Sequence, residues 1–94
     1  DGGADILVPS AFTPNADGKN DLLKPLLIGI TKLDYFDIFN RWGQLIYSTN
    51  QINAGWDGRL KNADQPSGTY VYTVQGQDFQ GKIVYKKGTV VLIR

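Results

Sequence analysis

The densest group of oxygen-bearing side chains in this chain is Asn15-Ala16-Asp17-Gly18-Lys19-Asn20-Asp21. Hard cations such as Ca2+ take several oxygens from carboxylates and amides on a tight, glycine-turned loop. Asn15, Asp17, Asn20 and Asp21 are the candidate ligands, and Lys19 offers a backbone carbonyl. The spacing is not that of an EF-hand, which needs a Glu at its last ligand position, and the Lys19 charge works against a cation. The same side chains suit a pair of Asx-turns that accept from backbone N–H groups. Ca2+ is therefore a candidate cofactor, and no cofactor is required.

A second group is aromatic. Arg41-Trp42 and Trp56-Asp57, with Tyr35 and Tyr47, have the composition of a sugar-stacking platform. That supports an alternative reading as a carbohydrate-binding or adhesion module of a cell-surface protein. The competing structural reading folds Trp42 over a sheet, sends Trp56 into the core, makes Asp57-Gly58 a turn and pairs Arg41 with an Asp. Enzyme chemistry has little to work with. The chain has neither His nor Cys, so a nucleophile would need a Ser-Lys or carboxylate arrangement. Ser10, Ser48 and Ser67 sit in turn-like contexts, and no phosphate-cradling glycine motif is present. The chain is expected not to be an enzyme.

The elements that must carry these groups are strands. The 94 residues suffice for one domain. All nine acids are Asp, while Val, Ile, Thr and Tyr are plentiful and Gly, Pro, Asn and Asp punctuate the chain. A net charge of +1 calls for neither nucleic acid nor an anionic membrane. No apolar run approaches the roughly 20 residues of a membrane span. Leu33–Asn40 and Gln44–Thr49 form a central hairpin, with Asn40 and Gly43 shaping a type I turn closed by a G1 bulge. That places Arg41 and Trp42 on its tip. Leu22–Ile30 is one or two strands broken at Pro25, Arg59–Gly68 a loop, and Thr69–Gln75 a cleanly alternating strand. The last strand, Lys82–Arg94, is locally basic and carries Gly88 as a bulge or kink. The expected fold is all-β, an Ig-like antiparallel β-sandwich of about seven strands. Its expected core is Leu7, Phe36, Ile38, Leu45, Tyr47, Trp56, Tyr70, Tyr72, Val74, Val90 and Leu92.

Several motifs, taken together and in order, carry a resemblance. They are Phe12-Thr13-Pro14-Asn15-x-Asp17-Gly18-x-Asn20-Asp21, Ile38-Phe39-Asn40-Arg41-Trp42-Gly43, Gly55-Trp56-Asp57-Gly58, Pro66-Ser67-Gly68-Thr69-Tyr70-Val71-Tyr72 and Lys87-Gly88-Thr89-Val90-Val91-Leu92-Ile93-Arg94. The set resembles the gliding-motility-associated C-terminal domain, the type B sorting domain of the type IX secretion system. One departure is Ala16, where the family loop usually has Gly.

The resemblance implies a C-terminal address label. Residues 1–5 would be a junction to a larger N-terminal cargo, and 6–94 a single sorting domain ending at Arg94. Such a domain would be monomeric in isolation and read by the type IX translocon and outer-membrane shuttle proteins. Its cargo would be secreted or reach the cell surface. Partner contacts are expected from the last strand: Thr89, Val91, Ile93 and Arg94, with Lys86 and Lys87 for electrostatic complementarity and Arg41 and Trp42 as further contacts. Strand addition along that edge is the expected mode. The loop question has a direct check. A Ca2+-loaded loop raises the melting temperature over that in chelator, whereas Asx-turns alone leave it unchanged.

Overall fold

A computed structural model describes residues 3–14 and 22–94. The strands are β1 (Asp5–Leu7), β2 (Ala11–Phe12), β3 (Leu26–Ile28), β4 (Ile30–Phe39), β5 (Leu45–Thr49), β6 (Arg59–Leu60), β7 (Ala63–Asp64), β8 (Gly68–Asp78) and β9 (Ile83–Leu92). A five-stranded sheet runs β2-β9-β8-β4-β5, with β1-β3 and β6-β7 as separate two-stranded pieces. The fold is all-β and sandwich-like, with very unequal layers. Pairing is antiparallel except where β2 lies parallel to β9. Among the described residues, no helix is long and apolar enough to cross a membrane.

One turn design closes both long hairpins. Asn40 Oδ1 accepts the N–H groups of Trp42 (3.0 Å) and Gln44 (2.9 Å), and the Gly43 N–H donates to the Asn40 carbonyl. Asp78 Oδ1 likewise accepts from Gln80 and Lys82 (both 2.9 Å), and the Gly81 N–H donates to the Asp78 carbonyl. Gly43 and Gly81 sit at φ 83° and 80°, the left-handed conformation this closure needs. Asx-x-x-Gly thus specifies β4–β5 and β8–β9 from within four residues.

The core lies beneath the five-stranded sheet. Ile6, Leu23, Phe36, Ile38, Trp56, Val74, Val90 and Leu92 are all essentially inaccessible. Trp56 is its centre. The ring stands 5.5 Å from Phe12 and 5.1 Å from Tyr70, and its Nε1–H donates to the Arg59 carbonyl. Its backbone exchanges two hydrogen bonds with Leu23, at 2.8 and 3.0 Å. Tyr70, at the start of β8, donates its hydroxyl to the Pro66 carbonyl at 2.7 Å. This is the corner-closing tyrosine bond familiar from sandwich domains.

Several sequence expectations change. Leu7 is exposed and its neighbour Ile6 is buried, because the run Ile6-Leu7-Val8 has no polar residue to set its phase. Leu45 is exposed, Ile46 buried and Tyr47 half-buried. A bulge explains this: Ile38 pairs Tyr47 and Phe39 pairs Leu45, so Ile46 is the extra residue that breaks the alternation. Gly88 is neither bulge nor kink, since the β8–β9 register runs unbroken. Instead it lies opposite Tyr72, whose hydroxyl would be 2.8 Å from a Cβ there. The expected loop over Arg59–Gly68 contains the β6–β7 hairpin, turned by Lys61 and Asn62 at φ 52° and 67°. Among the described residues the strands number nine, against an expectation of about seven.

The bulge makes a direct stability prediction. Ile46→Ala should cost about 2–5 kcal/mol in urea unfolding, while Leu45→Ala should stay within about 0.5 kcal/mol. The reverse order would place the alternation where the bare sequence puts it.

Candidate functional site: one sheet face and the clasp at its end

Alternation along β9 sorts the expected contact residues. Val90 and Leu92 point into the core, so Lys87, Thr89, Val91 and Ile93 share the opposite, outward face. Cross-strand register carries that face across the sheet. Val91 is beside Thr69, Thr89 beside Val71, Val71 beside Phe39, and Phe39 beside Leu45. Ala11 continues it onto β2, opposite Val91.

At the end of this face stands the β4–β5 tip. Trp42 is 74% exposed, and the Arg41 guanidinium lies 4.5 Å from its ring centroid. So Trp42 does not fold back over the sheet, and Arg41 stacks on it rather than pairing an Asp among the described residues. A shallow cleft of about 130 Å3 separates this tip from Pro66, Ser67, Gly68 and Thr69. Trp56 is fully buried, which removes it from any sugar platform with Trp42.

Lys86 and Arg94 leave the shared face. Lys86 has the parity of Val84 and Val90, and its ammonium lies 3.3 Å from Asp5 Oδ1. The Ile6 N–H and then Lys86 hold the Asp5 carboxyl below its ordinary pKa. Arg94 is a clasp. Its Nε–H donates to the Gln65 carbonyl at 2.6 Å, its Nη2–H to the Gly58 carbonyl, and its backbone N–H to Ser67 Oγ at 2.9 Å. Asp64, 3.8 Å from Arg94 Nη1, also accepts from Arg59 Nε at 3.0 Å. The end of the chain is thereby tied to the β6–β7 segment.

The β9 edge differs from the sequence expectation. β2 lies along its final part, taking the Val91 N–H at the Ser10 carbonyl (2.8 Å) and the Ile93 N–H at the Phe12 carbonyl (3.0 Å). Thr89–Arg94 is therefore an inner segment, and what it offers a partner is side chains. The remaining edge carries Lys86 and Lys87, and lysines on an edge oppose strand addition. β5, at the other edge of the sheet, is short and bulged. The candidate Ca2+ ligands Asn15, Asp17, Asn20 and Asp21 lie outside the described residues.

Sequence reasoning missed Leu45 as a member of the face, because the β5 bulge inverts which residue points out, and only strand register puts Phe39 and Val71 beside it. Farther along the same face, Asp34 accepts from Gln75 and Gln77 Nε2 at 2.9 Å each. Those bonds, Gln75 foremost, hold its carboxyl below the ordinary range.

The clasp predicts a local effect. Arg94→Ala should lower stability by about 1–3 kcal/mol in urea unfolding, and amide exchange should accelerate first in residues 58–67. Unchanged exchange there would show that the clasp holds nothing.

No curated protein matches the chain. A family model, CHU_C Type IX secretion signal domain, matches residues 6–92, from within β1 to the end of β9. The chain therefore belongs to the type IX secretion signal domain family.

Proposed function

We propose that this domain directs the protein that carries it to the type IX secretion system for export across the outer membrane. It does so without catalysis, through protein–protein recognition of the folded domain. The cargo is a larger protein on the N-terminal side of residue 6, delivered to the cell surface or the medium. The translocon and its shuttle proteins are the partners.

One observation carries the reading that the fold, rather than a tail, is the signal. Thr89–Arg94, the segment expected from the sequence to meet the partner, is held by β8 on one side, β2 on the other and the Arg94 clasp at its end. Peeling it free would expose Val90 and Leu92, both fully buried, and each such side chain costs about 1.5–3 kcal/mol. A receptor meeting this domain therefore meets a surface.

The test is a reporter fused to residues 1–94 or to residues 82–94 alone, in cells with and without the type IX machinery. The full domain should be exported only where the machinery is present, and the short tail should stay inside. Normal export of the tail fusion would refute recognition of the folded domain.

A further inference from the structure

We propose that the outward face of the five-stranded sheet, at its Trp42 end, is the surface the export machinery reads. Its occupant is a folded protein presenting an apolar strip flanked by carboxylates. The proposal rests on the secretion-signal reading above and assigns that reading a site.

The face is apolar where a solvated sheet face would be polar. Trp42 (74% exposed), Leu45 (49%), Ile93 (48%) and Val91 (39%) present large apolar side chains to solvent. They do not lie singly. The register joins Leu45 through Phe39 and Val71 to Thr89, a row crossing β5, β4, β8 and β9. Three strand spacings make that row about 14 Å wide. Val91 and Thr69 add the next row, and Thr69 lines the cleft beneath Arg41 and Trp42. Contiguous exposed apolar surface of this kind marks an interaction site, whereas scattered residues do not.

Charge narrows the partner. Arg41 stands at the tip end and exposed Lys87 flanks the other side. The carboxylate in the Lys87 row, Asp37, is engaged by the Ser48 hydroxyl at 2.5 Å. Asp37 keeps its negative charge but is half-buried, so the exposed charges beside the apolar rows, Arg41 and Lys87, are cationic, and their complement is a pair of carboxylates. Trp and Arg are also the side chains that most often dominate an interface energetically.

The experiment uses the reporter fused to residues 1–94, in cells with and without the type IX machinery. Each purified variant is also melted and sedimented. The double variant Leu45→Asp, Val91→Asp should export about tenfold less than the unaltered fusion, as loss of a central contact does. Arg41→Asp and Lys87→Asp should each reduce export about threefold or more. Tyr85→Ala, exposed at the far end of the same face, should leave export unchanged. If the aspartates lower the melting temperature, the milder pair Leu45→Thr, Val91→Thr replaces them. Normal export of a folded patch variant overturns the site. Normal export of both charge reversals overturns the acidic partner. Self-association of the unaltered domain that the patch variant abolishes would make a second copy the occupant, and overturns the proposal. If the unaltered fusion itself stays inside, the secretion-signal reading fails first and takes the site with it.

Discussion

The rest of the fold depends on the burial of Trp56. Its ring meets Phe12 from β2 and Tyr70 from β8, while its backbone bonds Leu23 in both directions. Among the described residues, no strand pairing joins the five-stranded sheet to the segments beneath it, so side chains do that work. A single large aromatic ring with one polar handle does so efficiently: it fills volume and contacts several elements, and its N–H reaches the Arg59 carbonyl. Tyr70 adds a second fastening by closing the corner onto Pro66. Burial drives the Tyr70 hydroxyl pKa upward.

Around this centre the sheet has two different faces. The inner face is packed. On the outer face β9 alternates Lys87, Thr89 and Val91 against buried Val90 and Leu92. A substitution at Val90 therefore acts on folding, whereas Val91 stands at the surface. Arg94 belongs with the first group despite its charge, because the groups it bonds are backbone carbonyls of its own chain. A cation at the end of a strand reads from sequence as an offer to a partner, and here it is an internal fastening.

Much of the fold is legible in local chemistry. Asn40…Gly43 and Asp78…Gly81 specify their turns through side-chain bonds to N–H groups two and four residues on, so both long hairpins follow from short-range rules. The clean alternation of Thr69–Gln75 yields the central strand β8 and its buried Tyr70, Tyr72 and Val74. The misread residues share a cause. Ile6 and Leu7 lie in an unbroken apolar run, and Leu45, Ile46 and Tyr47 in a run whose phase a bulge resets. In neither place does the sequence alone say which neighbour turns inward. Lys61 and Asn62 adopt positive φ with no glycine to announce a turn.

By itself, then, the amino-acid order determined the all-β character, the hairpin tips, the buried Trp56 and membership of the secretion-signal family. Each of these rests on residues close together in the chain or on motifs read in order. Only the tertiary structure decided that Thr89–Arg94 is an inner segment, that Arg94 clasps Gly58 and Gln65, and that Leu45 and Phe39 share a face with Val91. The reason is physical: Arg94 lies 29 positions from Gln65 and 36 from Gly58, and the other relations pass through several strands. They are settled by strand order and register, and in β5 by one extra residue.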